Sequence, residues 1–436
     1  MTMTDLTDHD IDGSFSTARI TARGEDILLT SDSYREFIYP HDEPSIAKYR
    51  GMDYEQFADE KKSPSFVQDL LNSWQALYDE PFRGITNDGV VKEGLYPLPA
   101  KTEPNDEGMV TAAFRFLAAL TPEQRTAVNH PVDAPEWRAW SNPEFVIHRV
   151  GVRLEELGED AAGAALALVA ASLSPAGYER VVEAMELNGY LGDLVDLPQI
   201  MNDRSYWFSL FGTPSSTEPW GWQLFGHHVA LNVVVVGGRQ VVAPVFLGAE
   251  PALSDERAPL FAAREALAIR LGQSFTDAQR AKAVVYRSVL DPEMPDGRVH
   301  PADERHVAGA FRDNRVVPYE GVCVRDFDDA QRKLLHEIVD DFLLLLPDHQ
   351  RALTMQLIGA HLMETWVSWY GATDGSQPFY LRVQSPVVIA EMDHHAGVWL
   401  NNRLPARFHV HTTLRLPNGN DYAKAYLAQW QDRHRP

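Results

Sequence analysis

The run Val229-Ala230-Leu231-Asn232-Val233-Val234-Val235-Val236 constrains this fold more than any other segment. It is followed across Gly237-Gly238-Arg239-Gln240 by Val241-Val242-Ala243-Pro244-Val245-Phe246. β-Branched side chains suit a pleated surface and lose rotamer freedom in a helix, and paired glycines between two such runs supply a turn, so the segment reads as a hairpin. A lone hairpin is marginal in water and needs further strands to bury it. Those strands lie near the C-terminus, at residues 379–391 and 408–415.

The rest reads mostly as helix. Phe66, Val67, Leu70, Leu71 and Trp74 fall at helical spacing behind Ser63-Pro64. Thr121-Pro122-Glu123-Gln124 combines an N-cap, a first-turn proline and a capping-box glutamine. Further helices fit residues 108–120, 160–173, 174–187, 254–271, 276–286, 328–346 and 350–370. The expectation is an α+β protein with a helical first half and an antiparallel sheet assembled from the central hairpin and the C-terminal strands. Residues 1–63, polar and irregular, read as an arm, and 64–436 as a single domain. No internal repeat is visible.

The chemistry concentrates in the last sixty or so residues. On an extended strand, His409 and His411 point the same way about 7 Å apart. The apolar run 386–390 delivers Glu391 at its end, where a neighbouring strand can set it opposite that pair. Two imidazoles and a carboxylate suit zinc, iron or manganese. Asp393, His394 and His395 follow closely, as extra ligands or as partners for an imidazole N–H. Arg382 and Arg415 lie on the same segments and could clamp an anionic group. The plainer alternative is a pair of half-buried strand histidines bonded to a carboxylate.

A second notable stretch runs from Ser205 to His228. Its aromatics and glycines look too irregular for a plain helix or strand and suit a pocket wall, with Tyr206, Trp220 and Trp222 burying ligand surface and Gln223 orienting it. The alternative is a packed aromatic core. Adjacent strand residues face opposite ways, so one of His227 and His228 can join the His409/His411 pair, and His228 is the expected fourth ligand.

These strings resemble a bacterial and fungal family of unknown activity, known as domain of unknown function 3500. The resemblance covers most of the chain from about Leu70. It is carried by Pro81-Phe82-Arg83-Gly84-Ile85, by residues 217–228, and by Phe246-Leu247-Gly248-Ala249-Glu250-Pro251. Tyr380-Leu381-Arg382-Val383-Gln384-Ser385-Pro386, Glu391, His409-Val410-His411 with Arg415, and Asn418-Gly419-Asn420-Asp421-Tyr422 complete it. The family's usual glycine after that last aromatic is Ala423 here. The resemblance implies a shared site at these positions and names no reaction.

Composition narrows the partners. A formal net charge of -23 without a basic block disfavours nucleic acid and anionic membrane surfaces. A single cysteine, Cys323, excludes internal disulfides. No export pattern opens the chain, and the apolar run 161–173 is too short to cross a bilayer, so the cytoplasm is the expected compartment. A homo-oligomer stays open. Together these readings lead to one divalent ion, zinc first and iron or manganese next, held by His228, Glu391, His409 and His411. The expected activity is hydrolysis of a small organic substrate by metal-activated water, with Asp393 or His395 moving protons and Arg382 or Arg415 holding substrate. The alternatives are a non-haem iron oxygenase of the three-histidine, one-glutamate type and a non-catalytic small-molecule or metal-binding protein.

Overall fold

The computed structural model describes residues 33–435. The expected arm therefore lies in part outside the described residues. Its remainder packs onto the protein: the helix Tyr54–Lys62 starts at a capping box of Asp53 and Gln56, and Tyr49 and Phe57 bury against Trp399. Helices Ser65–Asp79, Glu107–Ala119, Pro122–Val128, Glu159–Ser172 and Pro175–Leu194 then fill the first half, as the periodicity indicates.

Among the described residues twelve strands form one sheet. They are β1 (Asn129–His130), β2 (Val152–Arg153), β3 (Tyr206–Phe211), β4 (Trp220–Gly226), β5 (Val229–Val236), β6 (Arg239–Ala249), β7 (Val284–Tyr286), β8 (Val322–Cys323), β9 (Trp366–Tyr370), β10 (Tyr380–Gln384), β11 (Ile389–His395) and β12 (Ala406–Arg415). Their order is β1-β3-β4-β5-β6-β12-β11-β10-β9-β7, with β2 on β3 and β8 on β9. The fold is α+β as expected, but the sheet is mixed, because β1 and β7 run parallel to β3 and β9.

Several assignments change: the helix expected over 254–271 begins only at Ala262, and that over 276–286 stops at Ala283 and gives way to β7. The aromatic stretch after Ser205 is two ordinary strands, β3 and β4, paired from Tyr206↔Gly226 to Phe211↔Gly221. The end of the expected helix at 350–370 is β9, the helix itself stopping at Ala360. All three strands are buried along almost their whole length, so apolar residues occupy successive positions and the period-2 signal disappears.

The order also exposes a duplication. Outward from the central β6–β12 pair, the sheet reads β5, β4, β3, β1 on one side and β11, β10, β9, β7 on the other. Each half opens with a capping-box helix, Thr121/Gln124 before β1 and Thr276/Gln279 before β7. Each then runs through a short strand, a 3-10 turn and two helices to four long strands. Registers match as well: Ser209, Gln223 and Asn232 lie abreast in one half, Ser368, Arg382 and Glu391 in the other. Gly151 and Gly321 occupy equivalent left-handed positions, φ +85° and +90°. A Cβ at either would strike the carbonyl oxygen of Phe208 or Val367. What the halves share is backbone demand rather than residue identity, so the sequence conceals the repeat.

Helices pack on one face of the sheet, where Trp222 donates to Ser172 Oγ and Val245, Leu247 and Leu414 meet Arg264 and Phe342. The other face is roofed by the segments 130–151 and 287–321, which reach Gln223 of β4 through the Trp137 carbonyl and Asp393 of β11 through Arg305. Among the described residues no helix is long and apolar enough to cross a membrane.

Candidate metal centre

The site lies under this roof, where the two halves meet. Strand alternation puts His409 and His411 of β12 on the roofed face. Asp393 of β11 stands opposite His411, and a register shift after His394 precedes His395. On the other flank Gly248 of β6 pairs with His411, and only a glycine fits there: a Cβ would lie 2.8 Å from His411 Cδ2 and 3.1 Å from His228 Cδ2. His228 comes from the turn between β4 and β5, where its backbone is left-handed at φ +63°. For a non-glycine residue that conformation stores roughly 1–3 kcal/mol, a cost met most often at functional sites.

The ligating atoms of His228, His409 and His411 all lie within 4.8 Å of one another. The Nδ1 of His409 is 2.7 Å from the Ala396 carbonyl oxygen, which fixes the proton on Nδ1 and turns the Nε2 lone pair inward. That Nε2 lies 3.0 Å from His411 Nε2. Burial, and then the neighbouring imidazoles, hold all three rings well below the usual histidine pKa, so they are neutral and carry free lone pairs. His227, beside them, stacks on His228 and bonds Asn188 Oδ1 instead.

The carboxylates behind this cluster are engaged. Glu391 accepts from the backbone N–H groups of Val307 and Ala308 and from the hydroxyls of Tyr380 and Thr413, at 2.6 to 3.0 Å. Burial would raise its pKa, but His306 and these donors pull it down to about 2. Both its oxygens are saturated, and it stands opposite Thr413 rather than His411. The structure therefore places Glu391 behind His306, 3.5 Å from that ring's Nδ1, and not with His228, His409 and His411. Against the burial penalty, Arg305 and His395 hold Asp393 ionised, its pKa well below the usual carboxylate range. His395 Nε2 lies 3.2 Å from Asp393 Oδ2, and Glu304 pairs with Arg305.

A cavity of about 40 Å³ opens against the cluster, walled by His228, His395, His411 and Glu304 and, across it, by Glu144 and Val398. That volume holds a water molecule or the end group of a small ligand. The aromatic residues expected to line a pocket do not reach it. Tyr206, Trp220, Trp222 and Gln223 are fully buried, bonded respectively to the His227 carbonyl, the Ser215 carbonyl, Ser172 Oγ, and the Trp137 carbonyl with Asn232. Arg382 is paired with Glu320 and Arg415 with Asp313, both beneath the surface and away from the cavity. Sequence reasoning missed His306, Glu304 and Arg305. They sit in the roof segment 287–321, which has no regular helix or strand, and the length of that segment was the available signal.

Among the described residues, His411 Nδ1 and His306 Nε2 are buried nitrogens without a hydrogen-bond partner, while His395 Nε2 and His306 Nδ1 face only the carboxylates of Asp393 and Glu391, at 3.2 and 3.5 Å. Buried polar atoms are seldom left so, and the neutral imidazoles of His228, His409 and His411 are the donor set of a transition-metal ion. The residues present fit such an ion. Compared with known proteins, residues 102–424 match one family model, described as "Protein of unknown function (DUF3500)". No curated protein and no solved structure matches the chain.

Proposed function

Because the chain belongs to the DUF3500 family, whose description carries no activity, its function has to be read from the site, and we propose that it is a metal-dependent enzyme acting on a small organic substrate. The carrying observation is that three neutral imidazoles, His228, His409 and His411, converge, and that two of them, His228 and His411, wall a cavity. Closed structural sites use four protein ligands, whereas three ligands leave a position for water or substrate.

Zinc is the ion this all-nitrogen set suits best, with iron(II) or manganese next. A bound ion of this kind lowers the pKa of its water toward about 7 and polarises a carbonyl, which favours hydrolysis. His395, at the cavity wall, takes and returns the proton. Asp393, kept ionised by Arg305, orients the His395 ring and stabilises its charged form. Glu304 places a second carboxylate on the same wall. The three-histidine, one-glutamate oxygenase loses its fourth ligand, because Glu391 is already saturated by four donors.

The test is elemental analysis of the full chain purified without chelator or polyhistidine tag, beside the His409→Ala/His411→Ala double variant. Near-stoichiometric metal that disappears in a folded variant, with ester or amide hydrolysis following the metal, supports the reading. A metal-free protein after reconstitution with zinc, iron(II) and manganese refutes it.

A further inference from the structure

A second group of imidazoles shares a member with the first. The ligating atoms of His306, His395 and His411 also lie within 4.8 Å of one another, all three rings being buried. In the first group His411 faces His409 through Nε2, which leaves Nδ1, a buried nitrogen without a partner. His306 descends from the roof and is backed by Glu391, whose oxygen lies 3.5 Å from its Nδ1. This is the carboxylate–histidine arrangement that fixes a ligand ring's orientation and leaves Nε2 free, and that Nε2 is itself unpartnered.

We propose that the centre is dinuclear: a second divalent ion binds His306, His395 and the Nδ1 of His411, and His411 bridges the two ions through its two ring nitrogens. The proposal rests on the first group being a metal site. Bridging uses both nitrogen lone pairs of His411, so its one N–H proton leaves to solvent when the second ion binds. The ring nitrogens point in divergent directions, which holds the ions farther apart than the roughly 3.5–4 Å of two-metal sites that share an oxygen. One ion then faces the cavity by way of His228, and the other lies beneath the roof by way of His306; with the His395 lone pair on that second ion, Glu304 on the same cavity wall takes the proton in its place. The two positions draw on both halves of the duplicated fold: His228 comes from the first and the remaining four histidines from the second.

Reconstitution with zinc followed by elemental analysis should give two equivalents per chain. His306→Ala, with His306→Gln as a variant that keeps the polar bulk, should retain one, and copper(II)-loaded wild type should give an exchange-coupled paramagnetic signal. One equivalent in the wild type overturns the second site and leaves the first intact. No metal overturns both. Two equivalents with uncoupled copper signals overturn the bridge.

Discussion

Gly248→Ala is the sharpest perturbation of the site that leaves every ligand in place. The added Cβ would stand 2.8 Å from His411 Cδ2, 2.8 Å from the Val410 carbonyl oxygen and 3.1 Å from His228 Cδ2. Carbon atoms rest at about 3.5–4.0 Å, so the His411 ring has to retreat by about 0.7 Å or the β6–β12 pair has to part. Overpacking of this kind costs roughly 1–3 kcal/mol. If the strain is relieved by moving the rings, the same energy appears in the metal equilibrium as about 5–150-fold weaker binding. A competition titration against a chromophoric chelator measures that shift, and thermal melts of the metal-free protein measure the stability term. Gly163→Ala is the control: it lies in the helix Glu159–Ser172, and an added Cβ meets nothing within 4 Å. It should leave affinity unchanged and gain about 0.5–1 kcal/mol of stability. Unaltered metal affinity in Gly248→Ala, with amide exchange along β6 and β12 also unchanged so that the strands have not parted, would refute the placement of the ion between His228 and His411.

Other substitutions separate the roles assigned here. Glu391→Gln replaces two acceptor sites by donors facing donors, and should destabilise the protein by about 3–5 kcal/mol, with amide exchange rising at Val307 and Ala308; unchanged exchange there would show that the carboxylate does not hold the roof. His394 lies with its Nε2 toward Glu265 and has a pKa lowered to about 4, chiefly by burial. The unfolded chain binds that proton near pH 6.5 and the folded chain does not, so stability falls as the pH drops from about 6.5 to about 4, by up to about 3 kcal/mol. His394→Gln should flatten melting temperature across that window, and an unchanged slope would contradict the assignment. Trp222→Phe removes the bond to Ser172 Oγ and should lower stability by about 1–3 kcal/mol while leaving metal content and turnover intact; altered substrate affinity with intact stability would restore Trp222 to a pocket.

Much of the fold and part of the site were legible in the sequence. The β5–β6 hairpin was clear from its β-branched runs, and His409/His411 from strand alternation, because both signals depend only on local chain geometry. His228 rather than His227 does group with His409 and His411, but not by strand alternation: the two rings stack on each other in the turn, and His227 is drawn off by its bond to Asn188. Glu391 was set on the correct face, but a register offset of two residues puts Asp393, not Glu391, across from His411. Periodicity alone carries no register between strands. β3, β4 and β9 escaped because burial on both faces erases alternation. His306, Glu304 and Arg305 escaped because they act from a roof whose position depends on long-range bonds to β11. The duplication escaped because glycine positions, capping boxes and register are retained while side chains have diverged.

Anomalous diffraction at the zinc absorption edge, from crystals of the zinc-reconstituted full chain, would locate the ion among these imidazoles. A peak is expected about 2.0–2.1 Å from nitrogen atoms of His228, His409 and His411, on the side facing the cavity. A map with no peak at these imidazoles, from protein that binds zinc elsewhere or not at all, would contradict this placement.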